Sequence, residues 1–279
     1  MTRFRSPSDL PPGDRTRLGH LLLALADNKR LLGIRYSDWI LGAPSVEAGI
    51  ACSAMSQDEW GHGRIVYSML KDFDHDPRQL EFLREADGYL NSEVVDSEAP
   101  TWPDLIALNL LWDTALSVQF DVLAEGSYEP LHHKSRKLLQ EERYHFDHAV
   151  GWSERLMTGS GGEAALAGAC GAIWNSCIRW FGESDDPLIS PLADLGLVPR
   201  PRVTRARWLA RVGPVAGLLG LAVESGEVES DEEGQWVGAP ELHWEGWSAS
   251  RRRRQDGGPD EDSLARVRGD RNRVLVADA

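Results

Sequence analysis

Two four-residue stretches decide the fold of this chain: Glu59-Trp60-Gly61-His62 and Glu142-Arg143-Tyr144-His145. Both have the form Glu-x-x-His, and residues three apart on a helix point to the same face. Each stretch lies within an apolar stripe at helical spacing, so each predicts a buried helix that aims a carboxylate and an imidazole at one point. One copy carries little information, because Glu and His are common on helices. Two copies on separate buried helices indicate a shared site.

The sequence around these motifs predicts four long helices, over about 15–41, 45–73, 101–125 and 130–157, with Ser45 and Thr101 as N-caps. Further helices are expected over about 163–181 and 203–222, the last interrupted near Pro214, and a short one over 81–91. No run of alternating β-branched residues suggests a sheet. The predicted fold class is all-α, a four-helix bundle with additional C-terminal helices and a partly irregular tail.

We divide the chain into a helical bundle over 1–184, a helical extension over 185–223 and a charged, partly flexible tail over 224–279. The tail holds four distinct stretches: an acidic run at 224–233, a segment with three tryptophans at 235–247 that suggests docking, a basic run at 251–254 expected to be solvated, and a polar stretch at 255–262 expected to be flexible. Truncation at Glu224 is therefore expected to leave the bundle folded and its metal bound.

Charge and cysteine content narrow the class of protein. The net charge of −14 argues against a nucleic-acid-binding surface, which needs a basic footprint. Three cysteines without a Cys-x-x-Cys pair favour a reducing compartment, and no apolar run reaches the ~20 residues of a membrane span. We expect a cytoplasmic protein without a nucleic-acid or membrane partner.

The two motifs fit a dinuclear metal site. Two Glu-x-x-His helices, with one carboxylate from each of two other helices, form the ligand set of di-iron and dimanganese carboxylate bundles. On the third helix, Asp113 is the acid most central in the apolar interior, and on the first helix the apolar stripe offers Asp27 and Asp38. A metal-free hydrogen-bonded network is the alternative. Burying unpaired carboxylates is unfavourable, so the network would need a compensating cation, for which the candidates are Arg30, Arg64 and Arg143.

The motifs also carry a resemblance to a known family. The stretch Gln57-Asp58-Glu59-Trp60-Gly61-His62-Gly63, followed by Tyr67, resembles the motif of the catalytic subunit of the phenylacetyl-CoA ring epoxygenases. Asp113 within Leu-Trp-Asp-Thr-Ala and the run Glu141-Glu142-Arg143-Tyr144-His145 match two further motifs of that family. The segment 31–44 is similar to the corner between the first two helices in both subunit types, and the resemblance covers about 15–180.

This resemblance implies a ferritin-like fold and two iron ions, with manganese as the alternative metal. The catalytic subunits that the chain resembles use dioxygen to oxygenate an aromatic acyl-CoA thioester, take electrons from a separate reductase and pair with a metal-free homologue. The metal ligands expected here are Asp27, Glu59, His62, Asp113, Glu142 and His145. The residues that carry catalysis stay unassigned.

One departure concerns the first helix, where the family carries a Glu and the simplest alignment places Arg30. Asp27 one turn earlier could replace that Glu, the site could have five protein ligands, or Arg30 could neutralise a site without metal. We expect Asp27 to complete the site, because it shares a face with Leu31 and Ile34, whereas Arg30 lies about 60° away.

The resulting functional hypothesis is that the chain belongs to a di-iron monooxygenase or epoxidase that acts on an acyl-CoA or aromatic substrate. The alternative is a structural subunit of such an oxygenase with a degenerate metal site, and a ferroxidase ranks below both. The chain has no nucleotide-binding fingerprint and no cysteine cluster for an iron–sulfur centre, so electrons are expected from a separate reductase. The other expected partner is a homologous ferritin-like subunit or a second copy of the chain.

Overall fold

The computed structural model describes residues 3–221, 244–254 and 256–270, which are mostly helical and contain no β-strand. The helices are α1 (Pro12–Asp38), α2 (Val46–Met69), α3 (Pro77–Phe82), α4 (Trp102–Ala107), α5 (Thr114–Glu125), α6 (Glu129–Met157), α7 (Gly162–Trp180), α8 (Ile189–Asp194), α9 (Pro201–Leu218) and α10 (Glu261–Arg268). The predicted all-α fold class is confirmed.

Two of the long bundle helices begin at the capping residues that the sequence predicts. The Ser45 side chain accepts a hydrogen bond from Ala48 N at the start of α2, and Thr101 forms a capping box with Asp104 at the start of α4. A π-helical turn, Leu108–Asp113, joins α4 to α5 without a break, so the third bundle helix is continuous from Trp102 to Glu125.

The third bundle helix is the centre of the core. Among the described residues, the stretch Trp102–Glu125 is long and apolar enough to cross a membrane by length and composition, but it is almost entirely buried inside the protein. A helix that is apolar on every side and covered by neighbours is the core helix of a bundle. Helices α1, α2, α6 and α7 pack around it or against one another.

Two of the expected helices differ from the structure. The prediction of a helix over 81–91 is wrong, since α3 ends at Phe82 and only a short 3₁₀ turn, Ala86–Gly88, follows within that range. The start of α3 is set by Asp76, whose side chain accepts a hydrogen bond from Arg78 N, and by Pro77 in the first turn. The expected interruption at Pro214 is also absent, because α9 continues through this residue to Leu218.

The C-terminal segment lies on the bundle, and we call residues 244–254 and 256–270 the strap. Arg252 and Arg253 are each 1% exposed. Arg252 donates to Asp186 at 2.7 Å, and Arg253 donates to both carboxylate oxygens of Asp96 at 3.1 and 2.6 Å. The expectation of a solvated basic run is wrong for these two residues, since each guanidinium finds a carboxylate distant in sequence.

The second half of the strap also contacts the bundle, through Asp260 in the stretch that was expected to be flexible. Asp260 N donates to Asp96 O at 2.9 Å, and the Asp260 side chain caps α10. Much of 256–262 is exposed, and the contacts of Asp260 attach this stretch to the bundle, while its flexibility stays a prediction. The acidic run at 224–233 and the tryptophan-bearing stretch up to residue 243 lie outside the described residues. The division of the chain into three parts stays a prediction.

Candidate metal centre

Helices α2 and α6 bring the two Glu-x-x-His motifs together in the bundle interior. Glu59, His62, Glu142 and His145 are each at most 2% exposed, and the two imidazole ring centroids are 6.4 Å apart. Asp113 joins them from the π-helical turn of the third helix. Ligand atoms of Glu59, Asp113, Glu142 and His145 all lie within 4.8 Å of one another, a spacing at which they could hold a metal ion.

Each imidazole is held from both sides by carboxylates. His62 Nδ1 lies 3.0 Å from Glu142 Oε1, and His145 Nδ1 lies 3.0 Å from Asp113 Oδ2, so both rings turn this nitrogen toward the centre. The outward Nε2 of His62 lies 2.9 Å from Glu141, and that of His145 lies 3.4 Å from Asp58. Each outer carboxylate therefore comes from the opposite helix. A carboxylate on the outward nitrogen is typical of a metal-binding histidine.

A lysine from α1 stands where these carboxylates converge. Lys29 is fully buried, and its ammonium nitrogen lies 2.9 Å from Glu59, 2.7 Å from Asp113 and 2.5 Å from Glu142. Burial alone would lower the pKa of Lys29, but the negative charges of Asp113, Glu142 and Glu59 raise it well above its ordinary value. Lys29 is thus a permanent cation at neutral pH.

The charges of the cluster stabilise one another. Burial opposes ionisation of Glu142, but chiefly the Lys29 ammonium lowers the pKa of that carboxyl to about 2. Burial likewise opposes protonation of His62, but the carboxylates of Glu142 and Glu59 beside its Nδ1 raise its pKa to about 10. Hydrogen bonds to Asp113 and Asp58, together with the nearby Glu59 carboxylate, raise the pKa of His145 well above its ordinary value against the same effect of burial. Three carboxylates thus face three cations, one ammonium and two imidazolium groups.

A chain of hydrogen bonds from the bundle interior fixes Asp113. His148 Nδ1 donates to Asn109 at 3.0 Å, Asn109 Nδ2 donates to Tyr36 Oη at 2.8 Å, and Tyr36 Oη donates to Asp113 Oδ2 at 2.7 Å. Asn109 and Asp113 both belong to the π-helical turn, and such turns often occur at functional sites. Asp113 Oδ1 remains directed at Lys29.

Asp27, the sixth expected ligand, is not part of this cluster. Its carboxylate accepts hydrogen bonds from Tyr67 Oη at 2.6 Å, from Leu90 N at 2.7 Å and from the Arg84 guanidinium. Asp27 and Lys29 lie roughly 160° apart around an α-helix, so Asp27 points away from the centre when Lys29 points into it. The structure brings five of the six expected ligands together, and their role in binding metal stays a prediction.

The other first-helix candidates also lie elsewhere. Arg30 Nε is 3.4 Å from Glu81, and its guanidinium lies over the rings of Trp60 and Phe82. Asp38 is paired with Arg35 and Arg266. The compensating cation of the metal-free alternative is therefore Lys29, which the sequence analysis did not consider.

The arrangement does not fit two metal ions while Lys29 keeps this position. The donor types suit iron or manganese, and Glu59 Oε2 is buried without a hydrogen-bond partner among the described residues, as a metal ligand would be. However, the Lys29 ammonium already lies within hydrogen-bond distance of all three carboxylates that would bridge or chelate a metal pair. A divalent cation would have to displace it or meet a like charge at contact distance.

Two comparisons with known proteins indicate the family of this chain. The profile of the phenylacetic acid catabolic protein family matches residues 1–255. A curated relative, one subunit of the 1,2-phenylacetyl-CoA epoxidase of Escherichia coli (strain K12), is 26% identical over 217 residues, which cover 75% of this chain and 69% of the relative. The chain therefore belongs to the phenylacetic acid catabolic protein family.

Proposed function

We propose that this chain is a ferritin-like subunit of a multicomponent oxygenase that oxidises an aromatic acyl-CoA thioester. The relative at 26% identity is a subunit of a phenylacetyl-CoA epoxidase, and the buried cluster keeps the carboxylate and imidazole donors of the dinuclear bundles. Within that complex, we propose that the chain is the structural subunit rather than the one that activates dioxygen.

The observation that carries this role is the position of Lys29. Its ammonium group lies against Glu59, Asp113 and Glu142 inside the cluster and, together with the two histidines, offsets their charge, as a metal pair would in a catalytic subunit. The charges that a metal-free bundle must otherwise leave uncompensated are thus balanced by the chain itself. Such a subunit folds without iron and can support a homologous, metal-loaded partner.

The proposed partners follow from this role. A metal-free subunit needs a homologous ferritin-like chain that carries the metal, and that chain needs electrons from a separate reductase. The sequence of this chain has neither a nucleotide-binding fingerprint nor a cysteine cluster, which supports an external electron source.

The test compares the chain alone with the chain in a reconstituted complex. The purified chain, supplied with Fe(II), a chemical reductant, dioxygen and phenylacetyl-CoA, is expected to bind no iron and to form no oxygenated product. A complex of this chain with a homologous catalytic subunit, supplied with its reductase, is expected to be active, and omission of this chain is expected to abolish that activity. Product formed by the purified chain alone would contradict the structural role.

A second candidate function is supported by the intact donor set. Glu59, His62, Asp113, Glu142 and His145 are all present and buried, as an oxygenase with five protein ligands would require. If this is the function, the purified chain contains a stoichiometric amount of iron, and the Lys29 side chain has to leave the centre. Metal analysis of the wild-type chain therefore separates the two candidates.

A further inference from the structure

The ligand set around Lys29 is more complete than a metal-free site requires. Three carboxylates and His145 have ligand atoms within 4.8 Å of one another, and His62 Nδ1 lies 3.0 Å from Glu142. Both histidines keep an outer carboxylate partner, Glu141 for His62 and Asp58 for His145. Among the described residues, the ion pairs of the three inner carboxylates run only to Lys29 and to these histidines. A single side chain therefore separates this arrangement from an open metal site.

We infer that Lys29 alone excludes metal from this centre, and that replacing it opens a latent site for Fe(II), Mn(II) or Co(II). The inference deepens the proposed function and rests on it, because it assumes that the wild-type chain is metal-free. The ligands of the opened site are Glu59, His62, Asp113, Glu142 and His145.

The exclusion has a steric and an electrostatic part. The Lys29 side chain is 0% exposed, so the ammonium group cannot swing to solvent unless α1 moves away from the bundle. At 2.5–2.9 Å from three carboxylates, it occupies the position from which a metal would bind them. A metal at that position would also meet the positive charge of the ammonium group at contact distance.

The position of Lys29 on α1 explains why one substitution is enough. Lys29 and Tyr36 lie on the same face of the helix, roughly 20° apart, and Tyr36 holds Asp113 in place independently of the ammonium group. Ser117 likewise donates to Glu142 from the third helix. These contacts keep the carboxylates directed inward when the lysine is removed.

The test measures metal bound by wild-type and variant full-length chains. Lys29→Glu supplies a carboxylate from α1, Lys29→Ala leaves space, and Lys137→Glu is the matched control, since Lys137 is 79% exposed and the charge change is the same. Each protein is loaded with Co(II), or with Fe(II) or Mn(II) under anaerobic conditions. The protein is then passed over a desalting column and analysed for metal by mass spectrometry. Bound Co(II) also has visible absorption bands that report its ligands.

The expected result is about one to two metal ions per chain for Lys29→Glu, fewer for Lys29→Ala, and background for the wild type and Lys137→Glu. Adding His62→Gln and His145→Gln to Lys29→Glu should remove the bound metal and the Co(II) bands. Stoichiometric metal in the wild type would overturn the inference, and so would folded Lys29→Glu and Lys29→Ala proteins that bind none.

Thermal unfolding provides a second readout that does not depend on activity. Metal is expected to raise the unfolding midpoint of Lys29→Glu and to leave that of the wild type unchanged, because a ligand that binds preferentially to the folded state raises the midpoint. If Lys29→Glu and Lys29→Ala fail to fold, Lys29→Gln retains an amide that can bond to the carboxylates and takes their place. A folded Lys29→Gln protein without a metal-dependent shift would then overturn the inference.

Failure of this inference and failure of the proposed function are distinguishable. If the variants stay metal-free while the wild-type chain still supports a catalytic partner, only the exclusion by Lys29 is wrong. If the wild type itself binds iron and forms product alone, the structural role is wrong.

Discussion

Two buried charge clusters in this protein are built in opposite ways. In the strap, Arg252 pairs with the single carboxylate of Asp186, donates to Trp180 O and lies between the rings of Trp180 and Trp247. In the centre, the Lys29 ammonium group faces the three carboxylates of Glu59, Asp113 and Glu142, and His62 and His145 also lie against them. The first cluster balances one charge with one charge, whereas the second gathers carboxylates beyond what one ammonium group can neutralise.

The difference separates a docking contact from a ligand set. A balanced ion pair between distant parts of the chain holds a segment in place, because each charge is matched by one opposite charge. Several carboxylates at one buried point repel one another, so their convergence is unfavourable unless a concentrated positive charge is present. Such convergence is typical of a metal site, and here an ammonium group and two imidazolium groups supply the charge.

The largest effect is expected for Lys29→Met, which removes the ammonium group and keeps the length of the side chain. The variant leaves three buried carboxylates without their strongest partner, so the free energy of unfolding is expected to fall by about 3–5 kcal/mol. The measurement is urea unfolding at pH 7 in the presence of EDTA, so that bound metal cannot compensate.

The same substitution at an exposed lysine is the control for this prediction. Lys137 is 79% exposed and pairs with Glu141 one turn along α6, so Lys137→Met is expected to change the free energy of unfolding by less than about 1 kcal/mol. Equal effects for the two variants would show that the central lysine does not balance the cluster.

The next largest effect is expected for Arg252→Met in the strap. It leaves Asp186 without its cation, and the expected loss is about 3 kcal/mol by the same argument for a broken buried pair. Because the strap pair is balanced, the double variant Arg252→Met/Asp186→Asn is expected to lose less free energy of unfolding than the two single variants lose in sum. No second substitution at one carboxylate can rescue Lys29→Met in this way, since two others remain.

Truncation tests whether the whole strap stabilises the bundle, as the pair of Arg252 and Asp186 is expected to do. A chain that ends at residue 223 lacks Arg252, Arg253 and Arg266, which pair with Asp186, Asp96 and Asp38, so it is expected to be less stable than the full chain. This differs from the expectation at the sequence level that the tail can be removed with the bundle intact. Identical urea unfolding curves for the truncated and full chains would show that the strap contributes nothing to the bundle.

The sequence predicts the framework of this fold well because periodicity and capping are local signals. The apolar stripe of α6 predicts a helix over about 130–157 and places Glu142 and His145 inward, as observed over Glu129–Met157. The π-helical turn Leu108–Asp113 is not predicted, since it depends on how the third helix packs rather than on a local pattern.

The central lysine could not be predicted from the same pattern. Helix α1 is buried on nearly all sides from Leu18 to Tyr36, so an apolar stripe does not identify which face meets the site. Asp27 and Lys29 are both fully buried, and only packing decides which of them faces α2 and α6. A lysine in the middle of an otherwise buried helix is the signal that could have identified it.

The strap shows the same limit at longer range. The run of arginines at 251–254 has the composition of a solvated segment, and nothing near it in sequence indicates a buried partner. Asp186 and Asp96, which pair with Arg252 and Arg253, are 66 and 157 residues away along the chain. Only the tertiary fold brings these charges together.

The contribution of the central cluster to stability is expected to depend on pH. The pKa of His62 is raised from 6.5 to about 10, so its contribution is full below pH 6.5 and is lost as the pH rises to about 10. The pKa of Glu142 is lowered from 4.5 to about 2, so its contribution is full above pH 4.5 and is lost as the pH falls to about 2. The contribution of the central cluster is therefore greatest between pH 4.5 and 6.5.

His62→Gln isolates the alkaline part of this dependence. The difference in free energy of unfolding between the wild type and His62→Gln is expected to shrink between pH 6.5 and about 10, by at most about 1.4 kcal/mol per pH unit. Urea unfolding at several pH values in EDTA gives this difference directly. A constant difference across that range would mean that His62 is not an imidazolium in the folded protein.

The smallest effect is expected for Tyr36→Phe, which removes one hydroxyl from the interior. Tyr36 Oη donates to Asp113 at 2.7 Å and accepts from Asn109 at 2.8 Å, so the variant leaves an amide and a carboxylate each with one bond fewer. The expected loss is about 1–2 kcal/mol, typical of a buried hydrogen bond to a charged group.

Tyr144→Phe is the matched control, since Tyr144 is 74% exposed and its hydroxyl makes no such contact among the described residues. If Lys29 is the chief partner of Asp113, Tyr36→Phe should cost far less than Lys29→Met, because the ammonium group still holds the carboxylate. A loss as large as that of Lys29→Met would instead assign the integrity of the cluster to the hydrogen-bond chain from His148 to Asp113.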